Sequence, residues 1–230
     1  MRKLSLLVAF LLVMNLCPLI SFAEETAYTQ SSILDEKVET GELPPVEERL
    51  PDSPKLLHEM SDEYIDYEIG TYGGTLRLVT SSVGWSSDAF IGLNESLLWT
   101  PGFTCDDYEG NILEGYTVND ELTEYTFTLR KGLKWSDGIE VTMEDFAFAI
   151  NDFVCNSELT PVIANYMRDA GSSAGDPFTF EVIDEYTFKI SFKQSYGGFP
   201  AHLSVVGWKG YTDLLKPAHY LKQFHLSYAE

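Results

Sequence analysis

The stretch "YTFTLRKGLKWSDGIEVTMEDF" (Tyr125–Phe146) carries three local patterns in 22 residues. Tyr125, Phe127 and Leu129 alternate with Thr126, Thr128 and Arg130, the period of a strand with one buried face. Lys131-Gly132 marks a tight turn, which predicts that Leu133–Trp135 folds back as a short partner to that strand. Ser136-Asp137-Gly138 is a second turn. Thr142 then stands as an N-cap with Asp145 three residues on, the spacing of a capping box, and Phe146, Phe148 and Ile150 begin an amphipathic helix through Asp152. Read alone, the stretch is architecture: Trp135 is expected to anchor packing, and Arg130 to neutralise nearby acids such as Glu124.

The neighbouring segments extend this mixed α/β pattern. "YGGTLRLVTS" (Tyr72–Ser81) alternates as a first strand, and "SSDAFIGLNESLLWT" (Ser86–Thr100) has the apolar spacing of a helix. Thr179–Phe192 reads as a hairpin turning at Asp184-Glu185, with Tyr186, Phe188, Ile190 and Phe192 on one face. The string Glu-Tyr-Thr-Phe occurs at 124 and again at 185, as expected if both strands fill adjacent slots in one sheet. Pro217 opens a helix that sets Tyr220 and Leu221 beside Phe224.

The ends and the composition bound the setting. Arg2 and Lys3 precede the uncharged apolar run Leu4–Met14, and Ser21 and Ala23 supply the small residues of a cleavage site. Residues 1–23 are therefore expected to be a secretory signal peptide, cleaved after Ala23 in preference to lipidation at Cys17. Residues 24–70 hold 14 acidic and 3 basic residues and four prolines, which suits a loosely attached leader or tether. The net charge of −21 disfavours a nucleic-acid groove, and no nucleic-acid partner is expected. Cys105 and Cys155 either form a bridge or remain two separate buried thiols. No cofactor or metal is expected, since the four histidines are scattered without ligand spacing.

The ordered set of motifs resembles the extracellular solute-binding proteins of ABC importers, in the family that binds peptides and, in some branches, nickel. Tyr125, Phe127, Leu129, Arg130, Gly132, Lys134, Trp135, Asp137, Gly138, Thr142, Asp145 and Phe146 match its signature, with Ile139 where proline is usual. "YGGTLRL", "LNESLLW", "GNILEGY", "DEYTFKISF" and "LLKPAHYLKQFH" are similar to its other segments, in the same order. Family members are longer than this chain. The resemblance therefore implies the N-terminal portion of a two-lobed, type II periplasmic-binding-protein-like α/β clamshell, incomplete here. On that reading residues 71–230 are the solute-binding domain: 71–97 start the first lobe, 98–202 form a β-rich subdomain and 203–230 return to the first lobe.

What the resemblance implies about function is a non-enzymatic, exported, periplasmic or surface-associated subunit. It would capture oligopeptides or a similar small solute and deliver them to ABC permease subunits. Solute contacts are expected from Trp85, Ser86 and Ser87, in a loop with one large aromatic and several hydroxyls, and from Tyr166 and Trp208. The residues alone also admit a secreted hydrolase acting on carbohydrate or peptide, using carboxylates among Asp106, Asp107 and Glu109, or a non-catalytic adhesion module.

Overall fold

The computed structural model describes residues 28–56, 70–77, 79, 95–100, 107–204 and 213–229. The chain divides into two units, Met1–Gln30 and Ser31–Glu230, and the sheet, the helices and the cavities all belong to the second. The candidates Trp85, Ser86, Ser87 and Trp208, the expected signal peptide and Cys105 lie outside the described residues.

The alternating strands become a four-stranded antiparallel sheet. Strands β1 (Leu98–Trp99) and β2 (Glu109–Gly110) pair with each other, while β3 (Leu113–Val118), β4 (Glu124–Leu129), β5 (Thr179–Val182) and β6 (Thr187–Ser191) form the sheet in the order β3-β4-β6-β5. The two Glu-Tyr-Thr-Phe strings do lie on neighbouring strands, with Phe127 opposite Phe188. One face of the sheet is apolar. Tyr125, Phe127, Leu129, Phe188 and Ile190 are buried there, and the Phe127 and Phe188 rings stack at 5.1 Å. The other face carries Thr117, Thr126 and Lys189 in one cross-strand row, with Lys189 paired to Glu181 at 3.1 Å.

Helices close the apolar face. Helix α3 (Met143–Phe148) sets Phe146 against Phe188 at 4.8 Å, and α4 (Phe199–Ser204) sets Phe199 edge-on to Tyr125 at 5.4 Å. The Tyr125 hydroxyl donates to the Tyr196 carbonyl at 2.7 Å, and burial with neighbouring Tyr116 and Tyr196 pushes its pKa up to about 12. The expected capping box is present at Thr142 and Asp145. Beyond Phe148 the helix widens into a π turn, Ala149–Val154, with the Cys155 amide reaching back five residues to the Ile150 carbonyl at 2.8 Å. Helix α5 (Ala218–Leu221) follows Pro217 as expected, and Tyr220 meets Phe224 at 5.4 Å.

Several expectations are corrected. Leu133–Trp135 is not the partner of β4, whose two sides are taken by β3 and β6. Gly132, at φ +73, turns the chain away, and Leu133–Val141 closes on itself through Trp135 N–H to Ile139 O and Val141 N–H to Leu133 O, each 2.8 Å. The strand β3 was not read from the sequence. Residues 70–77 and 79 do not lie in a strand, and Leu76 and Val79 are exposed, so the alternation at these described positions buries no face. Leu98, expected in a helix, lies in β1. Cys155 is an exposed free thiol rather than a buried one, because it ends the π turn at the surface.

Part of the acidic segment, residues 48–53, is held against the signature. Two short helices, α1 (Asp35–Glu39) and α2 (Val46–Arg49), precede a segment that runs along the Lys131–Lys134 turn. The Asp52 amide donates to the Lys131 carbonyl at 3.1 Å, Lys134 Nζ to the Glu48 carbonyl and Arg130 Nη1 to the Ser53 carbonyl. Lys55 pairs with Glu109 and lies over the Trp99 ring at 4.7 Å. Arg130 is thus spent on carbonyls, Ser53 and Asn111, instead of on Glu124, which sits six residues back along the same strand, about 20 Å away.

Gly132 shows why this contact needs glycine. A Cβ there would lie 2.7 Å from Asp52 Oδ1 and 3.0 Å from Asp52 N, on a backbone already at φ +73. Gly132→Ala is expected to destabilise by about 1–2 kcal/mol from the left-handed backbone alone. It should also loosen residues 48–55, read as faster protease cleavage in that segment than in the sheet. Cleavage at the native rate would show that the leader does not depend on this turn.

Candidate functional site

The signature residues meet at one carboxylate. Asp145, at the third position of α3, is 3% exposed, yet its two oxygens accept three N–H groups. Oδ2 takes the Trp135 indole N–H at 3.1 Å and the Thr142 amide at 2.9 Å, and Oδ1 takes the Ala218 amide at 2.8 Å. The turn containing Trp135, the start of α3 and the start of α5 are thereby tied at one point, although Asp145 and Ala218 are 73 positions apart in the chain. Gly138, at φ +88, closes the Trp135–Gly138 turn at 2.9 Å. Asp137 within that turn accepts from Ile139 N–H and contacts His219 Nε2 of α5 at 2.7 Å, while Lys222 pairs with Glu144.

These contacts give an acid dependence whose sign is fixed. The hydrogen bond from His219, then that from the Ile139 amide, lowers the Asp137 pKa below its ordinary 3.8. A carboxyl with a lowered folded pKa contributes stability that is present above the ordinary value and is lost as pH falls through the folded value. Unfolding is therefore expected to become easier below about pH 4, and Asp137→Asn should flatten that part of the profile. The measurement is the denaturant midpoint from pH 6 to pH 2. A variant profile parallel to that of the parent chain would remove Asp137 from the account.

The second arrangement is a cavity. It is bounded by the π turn, by the loop before the 3-10 turn Asn165–Met167, and by the segment Asp213–Lys216. Its volume is about 300 Å3, and Phe153, Val154, Val162, Ala164 and Met167 make its walls apolar. Tyr166, the described member of the sequence's solute-contact candidates, lies beside it. Its ring is buried and stacks on His202 at 5.4 Å, and its hydroxyl donates to Asp213 Oδ2 at 2.7 Å. Burial and then the Asp213 charge push the Tyr166 phenol far up, so it remains a donor. Arg168 holds the loop by donating to the Ile163 carbonyl at 3.1 Å and the Gly175 carbonyl at 2.9 Å.

Asp213 and Lys216 were not singled out from the sequence. Lys216 Nζ lies 5.2 Å above the Phe153 ring, and burial lowers its pKa although Asp213 opposes the shift. A second concavity of about 340 Å3 is also lined by Phe153, together with Leu159, Leu221, Phe224 and Leu226.

Residues 107–214 match the family model of the bacterial extracellular solute-binding proteins, family 5 Middle, and the chain resembles that family. It is 30% identical to the periplasmic alpha-galactoside-binding protein of Rhizobium meliloti (strain 1021) over 92% of this chain and 31% of that protein. It is 31% identical to the probable peptide-binding protein YejA of Agrobacterium fabrum over 49% of this chain and 20% of that one. Among solved structures, an oligopeptide-binding protein OppA superposes with TM-score 0.66 and 32% identity, covering 88% of this chain and 29% of that one. The periplasmic binding protein MelB of Agrobacterium fabrum C58, in complex with stachyose, also gives 0.66, at 28% identity over 89% and 32%. The fold is that of part of a type II periplasmic binding protein. The chain spans about a third of the length of these two structures and of the galactoside-binding relative. These proteins are binding proteins rather than enzymes. Among the described residues, no helix is long and apolar enough to cross a membrane.

Proposed function

We propose that the chain is part of the substrate-binding component of an ABC importer, which captures an oligopeptide or a similar small solute outside the membrane and delivers it to the permease. The observation that carries this reading is likeness along almost the whole chain to solute-binding proteins, 92% of it for the galactoside-binding relative and 88% for OppA. Export with cleavage after Ala23 fits the same reading, as do solute contacts from the Trp85–Ser87 loop, Trp208 and the Tyr166 region. A second reading, an oligosaccharide as solute, is favoured by the galactoside-binding relative and the stachyose complex.

Titration calorimetry of the natural protein with mixed di- to pentapeptides, and separately with melibiose and stachyose, tests both. Saturable binding with the ligand recovered unchanged is the expected result. Hydrolysis products would overturn the reading, as would failure of both ligand sets to bind.

A further inference from the structure

We infer that Asp137-Gly138 is a covalent modification site which the signature turn holds in check: the Gly138 main-chain nitrogen closes on the Asp137 carboxyl carbon, and reopening of the ring leaves isoaspartate at 137. The chain contains one Asp-Gly pair and no Asn-Gly pair. Glycine makes the site reactive, because no Cβ stands between its nitrogen and the carboxyl group. The pair also lies at the surface, with the Asp137 side chain half-exposed, so water reaches it. The inference is independent of the solute-binding reading.

The chemistry needs water alone. In the first step the bond between the Gly138 nitrogen and Asp137 Cγ forms, and one Cγ–O bond breaks. That oxygen leaves as water, taking the amide proton and the carboxyl proton. Water then adds to the cyclic imide. Opening at Cγ regenerates aspartate. Opening at the former main-chain carbonyl carbon sends the chain through Cβ and Cγ, which is isoaspartate.

Three contacts oppose the first step in the folded chain. The Gly138 amide is engaged with the Trp135 carbonyl at 2.9 Å, so the attacking nitrogen is held in the turn. Asp137 Oδ1 accepts the Ile139 amide at 3.1 Å, and Oδ2 meets His219 Nε2 at 2.7 Å. The carboxyl group cannot bring its carbon onto the Gly138 nitrogen without giving up these partners. The same two partners, His219 first, lower the Asp137 pKa. The departing oxygen must be protonated to leave as water. A lower pKa leaves less of the protonated form at neutral pH, so the carboxyl carbon is also a poorer target.

The product does not fit the turn. Isoaspartate adds a methylene to the main chain between Trp135 and Gly138, whose closure depends on Gly138 at φ +88. Trp135, in the same turn, supplies its indole N–H to Asp145. A single isomerisation thereby loosens the joint between the signature and α5.

The test is incubation of the full 230-residue chain near neutral pH in water enriched in heavy oxygen, once folded and once in guanidinium chloride. Isoaspartate at 137 is counted by electron-transfer fragmentation, which cleaves its main-chain Cα–Cβ bond and so tells it from aspartate. The unfolded chain should isomerise about a hundredfold faster, since three polar contacts each restrain the folded chain about fivefold. Folded His219→Ala should isomerise about fivefold faster than the folded parent, with equal rates in denaturant. Every isoaspartate should carry heavy oxygen, and Asp137→Glu, whose longer side chain would have to close a larger ring, should give no isomerised residue.

Equal rates in the folded and unfolded parent overturn the inference, as does isoaspartate without heavy oxygen, or none in either state. A folded His219→Ala that isomerises at the parent rate also overturns it. Where that variant fails to fold, the folded and unfolded rates of the parent decide alone.

Discussion

Asp145→Ala is expected to lower the unfolding free energy by about 2–4 kcal/mol, since it removes the acceptor of one buried and two half-buried N–H groups, and an orphaned buried group costs about 1–3 kcal/mol while water can reach the other two. The donors belong to three separate elements: the Trp135 indole, the Thr142 amide at the start of α3 and the Ala218 amide at the start of α5. The loss should therefore appear as one cooperative fall in the denaturant midpoint, not as fraying of α3 alone. Asp145→Asn keeps one acceptor oxygen and turns the other position into a donor facing donors, so an intermediate loss is expected. Trp135→Phe, which keeps a ring and removes one N–H, should cost about 1 kcal/mol. A midpoint for Asp145→Ala within error of the parent chain would show that water replaces the carboxylate, and that the signature's acid is not what joins these elements.

Phe127→Ala should cost about 3–5 kcal/mol, the range for removing a large aromatic from a closed core. Phe127 is fully buried on the central strand β4 and touches rings on both neighbouring strands and on α4: Tyr116 at 5.8 Å, Phe188 at 5.1 Å and Phe199 at 6.2 Å. No neighbour can swing in without leaving its own strand or helix, so the cavity persists and the upper part of the range applies. Val118→Ala on the edge strand, where the side chain is 39% exposed, should cost well under half as much. Equal losses at the two sites would mean that the sheet does not carry the core described for it.

The parts legible in the sequence were those specified by a few adjacent residues. The alternation of β4 and β6 and the capping box at Thr142 and Asp145 are of this kind, and all three recur in the structure. Partner choice was not legible. Leu133–Trp135 lies next to β4 in sequence, but β4 pairs instead with β3 and with β6, some sixty residues on. Strand β3 was hidden because it is an edge strand, buried strongly only at Leu113 and interrupted by a bulge before Gly115, which blurs the alternation. At the site, Tyr166 was visible as a lone aromatic. Asp213 and Lys216 were not, since the cavity exists only when residues 153–167 meet a segment about fifty positions later.

The widened turn at Ala149–Val154 carries a consequence for chain length. In a regular α-helix, residues five apart point about 140° away from each other. Here Phe148 and Phe153 are five apart and still meet edge to face at 5.2 Å, because the wide turn absorbs one residue as a phase slip. Removing a single residue between them would restore ordinary winding with Phe153 four positions on, still above Phe148. The ring contact is therefore neutral to that deletion. The wall is not, because every atom after Phe153 would be drawn back by about 1.5 Å along the axis. Homologous chains one residue shorter at this turn would keep the aromatic stack while presenting a different cavity wall, because Val154 belongs both to the core and to that wall.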